Sequence, residues 1–496
     1  MQNILKKNWF WSLAVIFYFF TRLVNLKIIP IFTDEAIYSR WAQIALHDPA
    51  NRFLSLEDGK QPLFIWLAAI SQKFIQDPLI ATRLVSVFAG LGSLIGIYLL
   101  SKKLFDQKVA KIAVVLYILL PFTLLYDRMA LFDSLLTMLG IYAVYFSVVL
   151  VEKPKLDTAI LNGFAIGLAM ITKSSGSFFL YLLPLSLLLT KFKGGQFKKT
   201  LVNWLPFSII TVAICQVIYN SLRLSPLFYM ISRKNMEFIR SPSEVLSDPF
   251  LHLFSNFSAL LGWLTSYTGI LLFVIFLIGI ILGYVKKNLK IVYLSLLIFV
   301  PFFVTALFNQ VIYPRFMLFY FPFLIIVISY AIAQMTSIVK NYSKYLIMLI
   351  LVSLILPTFS SFKLLTDPKS AKIAESDSGQ YTNSWPAGYG VKETVEFLKA
   401  EARDKKVYVA TEGTFGLLPF ALQIYFYGQK NINIEGFWPV DASNLPAQVL
   451  EAATNRKTYF VFNENQKEIN SPYLKFIAKY QKGRGETYLR LYQVIP

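Results

Sequence analysis

Residues 126–151 have the sequence YDRMALFDSLLTMLGIYAVYFSVVLV, in which a short polar start leads into a long apolar run. A helix that crosses a membrane needs about 20 apolar residues, and residues 130–151 reach that length. Comparable stretches occur along most of the chain, at 9–29, 79–100, 109–125, 200–220, 257–285, 289–308, 315–335 and 343–361. The sequence therefore predicts a polytopic α-helical membrane protein.

The composition supports the same class of protein. Of the 496 residues, 56% are apolar and 15% are charged, and the mean hydropathy is +0.55. A soluble protein with this balance would have too little polar surface to cover its core. The single cysteine, Cys215, excludes a disulfide scaffold and a cysteine metal cluster. The two histidines, His47 and His252, are far apart in sequence, which argues against a histidine zinc site.

The formal net charge of +20 does not indicate nucleic-acid binding, because the lysines cluster in short loops between apolar runs, such as 102–111, 191–199 and 286–290. Positive loops of this kind face the cytoplasm. We expect residues 159–190 to form two short helices that turn at 172–176, and residues 62–75 to form a juxtamembrane helix at the outer surface. This topology has about 11 spans, a cytoplasmic N-terminus and an extracytoplasmic C-terminus.

Two domains are expected, a transmembrane catalytic domain at 1–361 and an extracytoplasmic α/β domain at 362–496. The second range has a soluble composition. Alternating apolar runs predict strands, with helical patterns at 390–403 and 444–455. The predicted strands are Lys406–Thr411, Asn431–Phe437, Thr458–Asn463 and Tyr488–Val494.

An acidic pair follows the first span in the sequence TDEAIYSRWA, residues 33–42. Asp34 and Glu35 fall in the first turn of a predicted amphipathic helix. The positive end of that helix keeps a carboxylate ionised and ready to accept a proton or hydrogen bond. The alternative is that both acids merely cap a surface helix.

Several cations lie beside the outer ends of predicted spans, and Asp133 lies near the start of one. Snorkelling of each cation to the surface, or a structural Arg128–Asp133 pair, is the alternative for each taken singly. Together, acids and bases from distant parts of the chain converge on one membrane face. A phosphate at the bilayer surface requires such partners. The candidate binding residues are Lys60, Arg128, Asp133, Lys173, Tyr313 and Arg315.

The motifs around these residues resemble those of GT-C glycosyltransferases in their order along the chain. The most similar branch contains the protein O-mannosyltransferases and the lipid A aminoarabinose transferase. The chain departs from the family at Gln61, where a second proline is usual, and at Ser174, where a glycine is usual. The motifs are TDEAIYSRWA, GKQPLFIW, RLVSVFAG, YDRMALFDSLL, ITKSSG and YPRFMLFYFP.

The resemblance implies an inverting glycosyltransferase. A sugar would move from a polyprenyl-phosphate donor to a protein hydroxyl or a glycolipid on the outer face. Asp34 matches the catalytic base, and Glu35 the neighbour that helps to position the acceptor or the base. The cations Lys60 and Arg315 match residues that hold the lipid phosphate. Lys173, Tyr313 and the second motif, with Arg128 and Asp133, complete the same pocket.

Implied partners are the lipid-linked donor, the acceptor and membrane lipids, with no nucleic acid. The expected location is the plasma or inner membrane of a bacterial-type cell. No cofactor is required for such a transfer. A divalent ion between Asp34 and Asp133 is left open, and Mg²⁺ or Mn²⁺ would suit their oxygen ligands.

A transporter or flippase of a lipid-linked or anionic substrate is the alternative function. Transporters place ionisable groups near the membrane centre and show internal repeats, whereas the predicted spans here have nearly charge-free centres. Two further segments are open in role. Residues 222–256 would either cover the phosphate or bind anionic lipid headgroups, and residues 379–390 would either reach the mouth of the site or act as a plain linker.

Overall fold

The computed structural model describes residues 2–190, 195–338, 343–465 and 469–495. Lys191 and Lys193 of the lysine-rich loop at 191–199 lie outside these ranges. The first part of the chain is helical, as the apolar runs predict. Its α-helices up to residue 220 are α1 (Gln2–Leu23), α2 (Thr33–His47), α3 (Leu63–Phe74), α4 (Pro78–Leu104), α5 (Gln107–Leu119), α6 (Pro121–Asp127), α7 (Phe132–Glu152), α8 (Leu156–Met170), α9 (Ser177–Tyr181) and α10 (Gln196–Asn220).

The helical part continues through a region of short helices into four long ones. The short helices are α11 (Met230–Met236) and α12 (Pro242–Ser247), and the long ones are α13 (Leu253–Thr268), α14 (Ile270–Val285), α15 (Leu289–Phe308) and α16 (Phe321–Ile338). Next comes α17 (Ser343–Thr366), followed by the single turn α18 (Glu375–Ser378).

The expected count of about 11 spans is not confirmed. Five described helices are long and apolar enough to cross a membrane, or up to seven if each bent pair is one span. The predicted span at 257–285 is two helices, α13 and α14, with a bend of 108° between them. Gly269 separates them with a φ of +75°, a conformation that glycine adopts easily and that ends a helix. The predicted span at 109–125 bends by 63° before Pro121, which starts α6 because proline cannot continue the helix before it.

Buried ion pairs join the first helices where they meet. The Arg22 guanidinium of α1 lies 3.4 Å from the Asp127 carboxylate at the end of α6. It also donates to the carbonyl oxygen of Ile118 at 2.7 Å. The second pair is Arg83 of α4 with Glu35 of α2, at 2.7 Å. An ionisable group buried at the end of a membrane helix costs free energy unless an opposite charge pairs with it. Each of these two arginines has such a carboxylate partner.

The C-terminal part contains a five-stranded sheet, which confirms the expectation of a small α/β unit. Parallel strands β1 (Val407–Glu412), β2 (Ile432–Phe437) and β3 (Lys457–Phe462) are joined through α20 (Phe420–Phe426) and α21 (Ala447–Asn455), with α19 (Val391–Glu401) before them. The strand order is β2-β1-β3-β5-β4, with antiparallel β4 (Leu474–Gln481) and β5 (Tyr488–Val494) on one side. Strand β4 was not among the predicted strands.

Candidate active site

The start of α2 places Asp34 in a defined position. Residue Phe32 precedes the helix in an extended conformation and forms an isolated β-bridge with Ala387. The backbone N–H and the hydroxyl of Thr33 both donate to the carbonyl oxygen of Pro386, each at 3.1 Å. The first turn of α2 is therefore held by the segment that leads into the C-terminal sheet.

Asp34 pairs with Arg315, a residue 281 positions away in sequence. The guanidinium Nη1 donates to Asp34 Oδ2 at 2.9 Å. Arg315 lies in a 3₁₀ turn, Pro314–Met317, and its guanidinium stacks over the ring of Tyr313 at 5.1 Å. Burial would lower the pKa of Arg315, but the combined attraction of Asp34, Tyr381, Asp133 and Tyr38 outweighs it and raises the pKa well above its usual range. The arginine therefore stays charged.

Asp133 and Lys173 form a second pair. Asp133 lies in the first turn of α7, and Lys173 lies in the turn after α8. Their side chains meet at 2.6 Å, and the Lys173 ammonium lies 4.7 Å from the centre of the Phe316 ring. Burial lowers the pKa of Lys173, and Asp133 offsets part of that effect.

Lys60 differs from the other cations of this group. The ion pairs found among the described residues do not include it. Its ammonium lies 5.4 Å from the centre of the Phe238 ring. Burial lowers the pKa of Lys60, and Asp34 and Asp58 offset only part of that effect. A half-buried lysine without a paired carboxylate is a ready partner for an anion.

Lys60, Asp133, Lys173 and Arg315 line a cavity of about 410 Å³. Asp34 and Tyr313 are not among the lining residues, but both contact Arg315. Five of its described lining residues are charged and seven are aromatic. The charged lining residues are Lys60, Asp133, Lys173, Lys234 and Arg315, and the aromatic ones are Tyr38, Phe132, Phe178, Phe238, Phe308, Phe316 and Phe319. Cations beside an aromatic wall suit a ligand with an anionic head and an apolar tail.

The segment at 222–256 supplies part of the cavity wall. Lys234 and Phe238 line the cavity, and Lys234 also pairs with Asp58 at 2.9 Å. Arg240 does not line the cavity. Its Nη2 donates to the carbonyl oxygens of Glu244 and Asp248. Lys234 therefore lies beside the candidate phosphate-binding residues and Arg240 does not, while both roles left open for this segment stay predictions.

Glu35 lies outside the cavity and is fully buried. Its carboxylate accepts from Arg83 Nε at 2.8 Å and Nη2 at 2.7 Å. It also accepts from the backbone N–H groups of Phe32 at 3.0 Å and Ala130 at 2.6 Å. All of its hydrogen-bonding capacity is used inside the protein, so the geometry favours the predicted positioning of the base over positioning of the acceptor. Glu35 is a positioning residue that ties the start of α2 to α4 and to the turn before α7.

Arg128 also lies outside the cavity. Its Nη1 donates to the carbonyl oxygens of Thr21, Arg22 and Val24 at 2.8 to 3.0 Å, and its Nη2 donates to that of Asn25 at 2.8 Å. These carbonyl oxygens lie in the last turn of α1 and in the two residues that follow it, where the N–H partners of a helix run out. In this geometry the guanidinium caps the end of α1 and forms neither an Arg128–Asp133 pair nor part of the cavity lining. A contribution of Arg128 to the shape of the pocket stays a prediction.

Two groups of functional interest were missed from the sequence. Arg83 is the buried partner of Glu35, and its occurrence in an apolar span was the available signal. Asp377 accepts from the hydroxyls of Tyr126, at 2.7 Å, and Tyr267. Burial is the main cause that raises the pKa of Asp377, to about 7. No sequence pattern marked Asp377, because its tyrosine partners come from distant helices.

Asp34 and Asp133 are the two carboxylates between which the sequence leaves a divalent ion open. Asp34 and Asp133 each hold a basic side chain, Arg315 and Lys173 respectively. Among the residues that the structure describes, no group of three or more His, Cys, Asp or Glu side chains is arranged to hold a metal ion. The two carboxylates therefore do not fit a ready-made divalent site in this arrangement.

The described chain combines a charged cavity with five helices, or up to seven spans if each bent pair is one, that are long and apolar enough to cross a membrane. A family model described as dolichyl-phosphate-mannose-protein mannosyltransferase matches residues 59–219. No curated protein matches the chain. The match includes Lys60, Asp133 and Lys173, and it confirms the resemblance found in the motifs.

Solved structures share the fold at low sequence identity. ArnT from Cupriavidus metallidurans in the apo state is 13% identical with a TM-score of 0.58, over 99% of this chain and 98% of that one. The same protein bound to undecaprenyl phosphate has a TM-score of 0.55 at 13% identity, over 98% and 97%. The oligosaccharyltransferase AglB from Archaeoglobus fulgidus, in complex with an inhibitory peptide and a dolichol-phosphate, has a TM-score of 0.53 at 13% identity, over 92% and 70%.

Proposed function

We propose that the chain is an inverting glycosyltransferase that moves a sugar from a polyprenyl-phosphate donor to an acceptor on the outer face of the membrane. The observation that carries the proposal is Lys60, a half-buried ammonium on the cavity wall without an ion-pair partner in the described chain. The cations Lys173 and Arg315 line the same cavity. Similar folds bind undecaprenyl phosphate in ArnT and a dolichol-phosphate in AglB.

In this proposal the acceptor attacks the anomeric carbon, and the lipid phosphate leaves from the opposite face. Lys60 and Arg315 stabilise the negative charge that grows on the leaving oxygen, an effect often worth several kcal/mol. Asp34 takes the proton of the acceptor, which contributes roughly 10²–10⁴-fold. The phosphate competes with Asp34 for the Arg315 guanidinium, so donor binding frees the carboxylate to act as base.

The remaining parts of the molecule have roles that follow from this assignment. The phenylalanines of the cavity wall, among them Phe308 and Phe319, hold the start of the polyprenyl chain. We assign residues 1–361 to the catalytic domain and residues 362–496 to an extracytoplasmic domain that orients the acceptor. The acceptor is a protein hydroxyl or a glycolipid.

Transfer by the purified protein tests the proposal. The protein in lipid nanodiscs is supplied with undecaprenyl-phosphate-linked hexoses or pentoses and with membrane extract as acceptor, and both labelled product and released undecaprenyl phosphate are measured. Wild type should release one lipid phosphate per transferred sugar, and Asp34→Asn should lose most of that activity. Glu57→Gln, which neutralises an exposed carboxylate nearby in sequence, should behave as wild type. Movement of the lipid between leaflets without sugar transfer would instead indicate a flippase.

A further inference from the structure

Two polar residues, each directly after a lysine of the candidate site, meet on the cavity wall. Gln61 follows Lys60, and Ser174 follows Lys173. The Gln61 Nε2 group donates to the Ser174 hydroxyl oxygen at 2.7 Å across 113 positions of sequence. Both residues line the cavity. A neutral polar pair therefore lies beside both lysines.

We infer that Gln61 and Ser174 form a specificity-determining pair that binds the hydroxyls of an uncharged donor sugar. The inference rests on the proposed function and narrows its substrate class. An enzyme with this pair should use donors with neutral hexoses or pentoses in preference to donors whose sugar carries an ammonium group, such as aminoarabinose.

The hydrogen-bonding capacity of the pair matches a neutral sugar. Because Gln61 uses its amide nitrogen on Ser174, its Oε1 oxygen stays available to accept a hydrogen bond. The Ser174 hydroxyl accepts that bond and keeps its own proton to donate. The pair thus presents one acceptor and one donor side by side, as two adjacent sugar hydroxyls require. The amides of Asn235 and Asn309 on the same wall add further neutral partners.

The charges of the wall disfavour an ammonium on the sugar. Lys60, Lys173, Lys234 and Arg315 contribute four cations, and Asp133 is the carboxylate among the described lining residues. Asp133 already holds the Lys173 ammonium at 2.6 Å. A phosphate diester brings one negative charge, which the Lys60 ammonium neutralises. The other cations are themselves paired, Lys234 with Asp58 and Arg315 with Asp34. An added sugar ammonium would therefore lie in a partly desolvated space without a carboxylate of its own.

The experiment compares one sugar in two charge states. Wild type in nanodiscs is given an undecaprenyl-phosphate-linked amino sugar, the same donor with its amine formylated, and a neutral hexose donor. We expect the neutral donors to be used with a kcat/KM about tenfold or more above that of the amino sugar. Gln61→Leu and Ser174→Ala should each raise the KM for a neutral donor about 3- to 10-fold.

A binding measurement separates recognition of the sugar from a structural effect. The Kd for undecaprenyl phosphate, which has no sugar, should be the same in Gln61→Leu, Ser174→Ala and wild type, which also reports that the variants are folded. Equal or faster use of the amino sugar by wild type would overturn the inference and leave the proposed function intact. Unchanged KM values for the neutral donor in both variants would also overturn the inference and leave the proposed function intact. No transfer from any donor would overturn the proposed function itself, and the inference with it.

Discussion

Replacing Glu35 with glutamine tests whether this residue holds the fold or takes part in the chemistry. The carboxylate accepts four hydrogen bonds, two from Arg83 and two from the backbone N–H groups of Phe32 and Ala130. Both side chains of the ion pair are fully buried. Glutamine has nearly the same shape, but it removes the charge and turns an N–H₂ donor toward groups that are themselves donors.

The size of the effect follows from the burial of the pair. Removal of one partner of a buried ion pair costs about 3–5 kcal/mol, because the other charge is left without compensation. Proteins are stable by about 5–15 kcal/mol, so Glu35→Gln should lower the thermal denaturation midpoint clearly. The double variant Glu35→Gln/Arg83→Met, which removes both charges, should be more stable than the single variant.

Thermal denaturation in detergent, followed by aggregation and by tryptophan fluorescence, measures this stability, and transfer activity is normalised to folded protein. Glu57→Gln is the matched control, because Glu57 is exposed and should change neither quantity. If Glu35→Gln denatures at the wild-type temperature but has no activity, the carboxylate acts on the substrate and the structural role is refuted.

Two other predictions concern the segment between α17 and the sheet. In Gly388→Ala, the new Cβ would meet the carbonyl oxygen of Ile31, so the start of α2 should shift and kcat should fall. The control is Gly262→Ala, whose new Cβ meets nothing within 4 Å and which should keep wild-type kinetics. Burial is the main cause that raises the pKa of Asp377 to about 7. The folded protein therefore favours the protonated carboxyl, and the stability that it contributes is fully present below the unfolded pKa of about 3.9. That stability is lost as the pH rises through about 7. Asp377→Asn should therefore flatten the dependence of the denaturation midpoint on pH between these values, and an unchanged pH profile would show that Asp377 does not titrate there.

The convergence of the candidate residues was predictable because each lies at a helix end. Asp34, Lys60, Asp133, Lys173 and Arg315 follow or precede apolar runs, and the alternation of lysine loops assigns those ends to one face. The structure brings all five to one cavity or to its immediate border. Their roles remain part of the proposal.

Other features depend on partners that a linear sequence does not identify. Arg128 and Asp133 have the spacing of a local pair, yet Arg128 turns to the carbonyl groups at the end of α1. The Glu35–Arg83 pair joins residues 48 positions apart. Strand β4 was missed because its lysines and partly exposed side chains belong to an edge strand, which buries little apolar surface and carries a weak pattern.

The binding of undecaprenyl phosphate by Lys60→Met tests the central claim most directly. A hydrogen bond to a charged group contributes about 1.5–3 kcal/mol, so loss of the Lys60 ammonium should weaken the affinity by about 10- to 150-fold. Lys73→Met, at an exposed lysine on α3, should bind as wild type does. An affinity of Lys60→Met equal to that of wild type would contradict the assignment of this cavity to a lipid phosphate.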